Sequence, residues 1–263
     1  MTLYGERYGV GRPVLQIAMP RPPRMYAPGG TMHVVARCNN REFYFAAPED
    51  FEILLEHLGE MSRAYGVRLF AYTLMSSHIH LLLQSPDADV LGRPMRWFMT
   101  QTAKTFHRLR NRCGHFWERR YRACLVEDDL YVLAALRYID RNPVRARIAE
   151  DPATYAWSSC ASYALGAPNR LIQFHPSYLG LSPYARVRQR HYRAILAPGS
   201  DPHVDDRDSR WTSQRAVGSP EFLKRHHPSG RQPGTISLPE QIRRVGKLKV
   251  PGTTTGTVPP RVD

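Results

Sequence analysis

The stretch AYTLMSSHIHLLLQ, residues 71–84, decides how the rest of the chain is read. Side chains alternate between faces along a β-strand, so His78, His80 and Leu82 point one way and Ile79, Leu81 and Leu83 the other. One face is apolar and the opposite face carries two imidazoles. This suits a central strand whose rear packs on helices and whose front floors a cleft, where two histidines two residues apart can share one metal ion. An H-x-H triplet by itself is more often incidental, so a second motif has to carry the assignment.

That motif is LAALRYIDRNPVRAR, residues 133–147. At helical spacing Val132, Leu133, Leu136 and Ile139 form one apolar face, with Tyr131, Tyr138 and Asn142 on the other beside Ala134 and Ala135. Tyr138 and Asn142 are one turn apart. Pro143 disfavours helical geometry at the residue before it, which places Asn142 in the last turn or at the C-cap. A histidine pair on a strand is therefore followed by a helix offering a phenol and an amide oxygen at i and i+4.

H-I-H at 78–80 and Y-I-D-R-N-P-V-R-A at 138–146 resemble the HUH-motif single-tyrosine transposases, in particular the REP-associated tyrosine transposases of bacteria. H-V-V-A-R-C-N-N-R at 33–41, G-H-F-W-E-R-R-Y at 114–121, L-V-E-D-D-L-Y at 125–131 and A-W-S-S at 156–159 fall in that family's order. The chain departs from the pattern at Cys38 and Arg147, where glycine is common, and at Ser76-Ser77, where Pro-Asn is common. The resemblance spans about residues 22–180. It implies Tyr138 as nucleophile, His78, His80 and Asn142 as ligands of Mg²⁺ or Mn²⁺, and a 5′-phosphotyrosine intermediate with a free 3′-hydroxyl. The implied activity is cleavage and joining of single-stranded DNA at hairpin or palindromic repeats.

Charge is consistent with such a partner. Lys and Arg number 37 against 23 Asp and Glu, a formal +14 in 263 residues. This predicts attraction to a polyanion, nucleic acid before membrane because no long apolar run or basic amphipathic anchor accompanies it. Between Arg93 and Arg122 nine basic residues meet one carboxylate, Glu118, among Trp97, Phe106, Phe116, Trp117 and Tyr121. Basic side chains follow phosphates and aromatic faces stack bases, so Arg93, Arg96, Lys104, Arg108, Arg110, Arg112, Arg119, Arg120 and Arg122, with Arg41, are the candidate DNA contacts. Cys38, Cys113, Cys124 and Cys160 form no C-x-x-C pair, which argues for reduced thiols in a cytoplasmic setting and against a zinc knuckle. A zinc deaminase is excluded, since H-x-E with a downstream P-C-x-x-C is missing.

The pattern predicts β-α-β-β-α-β-α, an α+β fold with an antiparallel sheet and helices packed on one face, and the resemblance implies that this is a ferredoxin-like core. The expected organisation is a flexible basic lead-in over 1–24, the catalytic domain over 25–180 and a helical extension over 181–200. A basic, largely disordered tail with one short helix near Glu221–His226 is expected over 201–263. Monomer and homodimer are both open. Two alternatives stand beside the transposase: a DNA-binding regulator that no longer cuts, and an HUH replication initiator. The chain is short for a relaxase and has no helicase P-loop.

Overall fold

A computed structural model describes residue 27 and residues 29–86, 91–198, 209–226, 236 and 238–248. The expected lead-in over 1–24 lies outside the described residues. The elements run β1 (Thr31–Arg37), α1 (Pro48–Tyr65), β2 (Arg68–Met75), β3 (His78–Gln84), α2 (Gly92–Leu109), β4 (Arg122–Val126) and α3 (Leu130–Asp140), the expected order. The sheet order is β2-β3-β1-β4-β5, with the first four strands antiparallel and β5 (Ala216–Val217) joining β4 in parallel.

Local chemistry sets the boundaries. The Asp50 carboxylate reaches back to accept the Ala46 and Ala47 backbone N–H groups at 2.9 Å each, satisfying donors before the first turn of α1. Gly66 ends that helix at φ 64°, a left-handed conformation that a side chain would oppose. A register shift between Leu69 and Ala71 lets Phe70 and Ala71 both face the front layer of the sheet.

Strand alternation then builds two layers. Met32, Val34, Ala36, Ile79, Leu81 and Leu83 bury against Phe51, Leu54, Leu58 and Met61 of α1 and Met95, Phe98 and Phe106 of α2. Leu82, Cys124 and Val126 pack on the other side with Val132, Leu133 and Leu136 of α3. The expectation of helices on one face holds for α1 and α2, while α3 lies across the sheet from them. A short α4 (Asn142–Arg145) follows, and α5 (Cys160–Leu165), α6 (Pro176–Leu179) and α7 (Ala185–Leu196) pack on α3 or on one another. Arg137 and Arg141 of the tyrosine motif donate to the carbonyls of Ile195, Ala197 and Leu196 at 2.7–2.9 Å, tying α3 to the C-terminus of α7.

After residue 200, where a basic, largely disordered tail with one short helix near Glu221–His226 is expected, the described residues contain that helix and further elements. Residues 209–226 and 238–248 form α8 (Arg210–Ser213), β5, α9 (Pro220–His226) and α10 (Glu240–Leu248). Trp211, Leu223, Ile242 and Val245 are buried, so isolated apolar residues among prolines and charges seat these pieces on the domain. The remaining positions of the expected tail lie outside the described residues. Among the described residues no helix is long and apolar enough to cross a membrane.

Burial makes stability pH-dependent. His175 accepts the Ser177 N–H at Nδ1 (3.1 Å) and faces Thr31 Oγ1 through Nε2 (3.0 Å), and burial lowers its pKa to about 4. The unfolded chain binds protons below about pH 6.5 that the folded histidine refuses, so this contribution is full above pH 6.5 and is lost as pH falls toward 4. Asp140, raised by burial to about 7, acts in the opposite sense, so slopes must be compared between variants. Chemical denaturation of His175→Gln should lose about 2 kcal/mol less than wild type between pH 7 and pH 5. Equal losses would contradict the neutral assignment.

Candidate active site

The front face of the sheet can be read in rows. Arg122, Val35, His80 and Thr73 stand opposite one another across β4, β1, β3 and β2; the next row is Cys124, His33, Leu82 and Ala71. Arg37 pairs with His78 one step further along. His33 is thus the diagonal cross-strand neighbour of His80, within reach for aromatic side chains. Its Nε2 lies 3.0 Å from His80 Nδ1, with the rings nearly parallel, and its Nδ1 lies 3.1 Å from the Trp211 carbonyl oxygen. His78 packs edge-on to His80 with ring centroids 5.0 Å apart, and its Nδ1 is 3.1 Å from Ser77 Oγ.

Tyr138 comes to the same place from α3. Its ring centroid is 5.8 Å from that of His80, 5.6 Å from that of His33 and 5.7 Å from that of Trp211, which lies over it. The Arg145 guanidinium covers the ring at 4.3 Å and also donates to the Tyr138 carbonyl. Tyr138 is 9% exposed and His80 1%, so the front that the sequence suggested as the floor of a cleft is roofed by α3 and Trp211. Tyr131, on the same helix, stands instead beside Glu127 and Glu221, and burial raises its pKa.

Burial is the main reason that both inner histidines are neutral. It lowers His33 to about 4, with the Arg145 charge adding to the shift. His80 is held well below the ordinary histidine value, first by burial and then by His78, His33, Arg145 and Arg37. Neutral imidazoles are the form that binds a cation.

Asn142 donates its side-chain nitrogen to the carbonyls of Tyr138 (2.9 Å) and Ile139 (3.2 Å), capping α3. The amide oxygen is the remaining donor atom it could turn to a metal. Thr73, directly across from His80, has a buried hydroxyl without a partner among the described residues, so this part of the site can take a further polar species. Among the described residues no group of three or more His, Cys, Asp or Glu is placed to hold a metal, so a cation here would rest on two imidazoles, an amide oxygen and oxygens from substrate and water.

The candidate DNA contacts are all exposed, but they do not form one groove. Arg93, Arg96, Lys104 and Arg108 share the outer face of α2, on the far side of the sheet from Tyr138. Arg110 is tied to buried Asp50, and Arg112 donates to Tyr44 Oη at 2.8 Å and pairs with Glu42 at 3.6 Å. The segment carrying Arg119 and Arg120 joins the histidine end of β1, where Cys38 bridges Trp117 and the Glu118 N–H donates to the Arg37 carbonyl. Arg122 donates to the Thr212 carbonyl at 2.9 Å, and Arg41 and Arg122 both act electrostatically on Arg37.

Four residues of the site were not singled out from sequence. His33 and Arg37 alternate with Val35 on one face of β1, so a period-2 reading of HVVAR would have found them. Arg145 is two helical turns from Tyr138, a spacing visible in the motif. Trp211 carried no local signal.

Residues 28–142 match the family model described as transposase, IS200-like. No curated protein matches the chain. A REP-associated tyrosine transposase bound to a REP hairpin is similar at 17% identity and a TM-score of 0.48, over 60% of this chain and 93% of that one. A Deinococcus radiodurans protein assigned as a transposase is similar at 18% identity and a TM-score of 0.34, over 49% of this chain and 92% of its own. The matched segment contains His33, His78, His80 and Tyr138 and stops at Asn142, before Arg145 and Trp211. The likeness to the IS200-like transposase model thus covers residues 28–142, less than half of the chain.

Proposed function

We propose that the protein cuts and rejoins single-stranded DNA at hairpin or palindromic repeats through a covalent bond to Tyr138, with assistance from Mg²⁺ or Mn²⁺. The observation that carries this reading is the meeting of His78, His80 and Tyr138 on one sheet face, within the residues that match the IS200-like transposase model. The Tyr138 oxygen attacks the phosphorus, a bond to the 5′ side of the DNA forms, and the bond to the 3′ oxygen breaks to leave a free 3′-hydroxyl. Attack by another 3′-hydroxyl reverses the step without a nucleoside triphosphate. His78, His80 and the Asn142 amide oxygen would hold the divalent ion, which supplies polarisation of the scissile phosphate when bound. Arg145, fixed over the phenol ring, favours negative charge gathering on the attacking oxygen. Arg37, Arg41, Arg119 and Arg120, at the end of the sheet where Arg37 pairs with His78, would contact the backbone beside the cut.

One observation favours the reading in which the chain binds DNA without cutting, namely the burial of Tyr138 under Trp211 and Arg145. Incubating a 3′-labelled hairpin oligonucleotide with protein and Mn²⁺ or Mg²⁺ separates the two. Cutting with a labelled protein adduct supports the proposal, and binding with no cut sinks it.

The α2 face makes a separate prediction. Replacing Arg93, Arg96, Lys104 and Arg108 together by Ala should weaken DNA binding and reduce the slope of log affinity against log salt by up to about 3, at about 0.7 per lost contact on a single strand. Cleavage at saturating DNA should persist, because these residues lie across the sheet from Tyr138. An unchanged slope would remove this face from the DNA path.

A further inference from the structure

We infer that His33 is a positioning residue for His80, fixing its tautomer so that Nε2 presents a lone pair to the metal, and that the Trp211 backbone carbonyl fixes His33 in turn. The inference rests on the metal reading proposed above.

A backbone carbonyl only accepts, so in the 3.1 Å contact with Trp211 the hydrogen is on His33 Nδ1. A neutral imidazole has one N–H, which makes His33 Nε2 an acceptor. The hydrogen in the 3.0 Å contact between the rings therefore belongs to His80 Nδ1. His80 Nε2 is then bare. The opposite tautomer of His33 would set two lone pairs against each other at Trp211, and the opposite tautomer of His80 would do so between the rings.

The rings are 8° from parallel and both residues are 1% exposed, so water does not compete for these bonds. Buried hydrogen bonds behind a ligating histidine orient it and raise its basicity, and losing such a partner weakens metal binding by about 10- to 100-fold. An aliphatic residue at position 33 would still pack, but would leave His80 Nδ1 without an acceptor and let the proton move to Nε2. Because Trp211 lies outside the matched residues 28–142, a segment beyond the family domain completes the site.

The test uses full-length protein and two readouts. Long-range ¹H–¹⁵N spectra of metal-free wild type should show His80 with a protonated Nδ1 and a bare Nε2. Calorimetric titration with Mn²⁺ should show about 10- to 100-fold weaker binding for His33→Phe, which keeps the ring shape and loses the acceptor. His33→Gln, whose amide oxygen can still accept, should stay within a few-fold of wild type. Metal-free DNA binding should be the same in all three. A protonated Nε2 on His80 in wild type, or wild-type Mn²⁺ affinity in His33→Phe, overturns the inference. If His33→Phe does not fold, the wild-type tautomer decides it. Wild type that binds no Mn²⁺ while His80 shows a bare Nε2 overturns the metal reading and the inference with it, whereas a protonated Nε2 with normal Mn²⁺ binding overturns the inference and leaves the metal reading standing.

Discussion

Tyr138→Phe should fold, bind hairpin DNA and Mn²⁺ like wild type, and form neither cleaved product nor covalent adduct. The substitution removes one oxygen. The ring contacts to His80, His33 and Trp211 at 5.6–5.8 Å and to Arg145 at 4.3 Å involve the ring itself and survive in Phe. Stability should therefore change by no more than about 1.5 kcal/mol. Cleavage should fall by about 10⁴-fold or more, because nothing else placed beside the histidines carries a nucleophilic oxygen on α3. Tyr131→Phe, beside Glu127 and Glu221, should cut at nearly the wild-type rate. Denaturing electrophoresis of labelled substrate reads all three proteins at once. Cleavage retained by Tyr138→Phe and lost in Tyr131→Phe would reverse the assignment.

Removing the histidines should be nearly as severe for chemistry and should differ between the two in stability. His78 is half-buried at the strand end, whereas His80 is enclosed and bonded to His33. Each change to Ala should reduce metal-dependent cutting by about 10³-fold, corresponding to roughly 4 kcal/mol of lost charge stabilisation at the phosphate. His80→Ala should also destabilise the fold by about 1–3 kcal/mol, since the His33 Nε2 acceptor is left buried and unpaired. His78→Ala should cost less. Cleavage rates against Mn²⁺ concentration, beside thermal melts, separate the effects. Unchanged cutting by both variants would remove the metal from the account.

These predictions stand on residues that differ in how visibly the chain announces them. His78 and His80 declare their shared face because a strand has a period of two and the residues between and after them are aliphatic. Tyr138 and Asn142 suggest one helix by their spacing, but α3 ends at Asp140 with Arg141 as its C-cap, and Asn142 and Pro143 open α4, where proline is tolerated in the first turn. The β-α-β-β-α-β-α order follows from the same periodicities, and Gly66 and Asp50 mark the limits of α1 by turn and capping chemistry. What local pattern does not contain is where one layer sits relative to another. A count of basic residues joins Arg93 to Arg122 into one groove, yet α2 and α3 occupy opposite faces, so Arg108 and Tyr138 are separated by the sheet. Charge along a sequence carries no information about that separation.

The C-terminal pieces were hidden for a different reason. β5 has two residues and pairs in parallel with β4, too short to show alternation. Trp211 stands between Arg210 and Thr212 with no apolar periodicity around it, and its role comes from a backbone carbonyl and a ring face supplied to residues far away in the chain. At Arg147, one of the departures from the resembled motif, the backbone is in the left-handed region at φ 58°, where a side chain carries a conformational cost.

The proposed reaction joins Tyr138 covalently to the 5′ end of a cut strand. Wild-type protein should be reacted with a single-stranded hairpin substrate in Mn²⁺, digested with nuclease and protease, and the modified peptide sequenced by mass spectrometry. A nucleotide joined through its 5′-phosphate to Tyr138 is the expected product. A nucleotide on Tyr131 or another side chain, a linkage through a 3′-phosphate, or cleaved DNA with no modified peptide would contradict it.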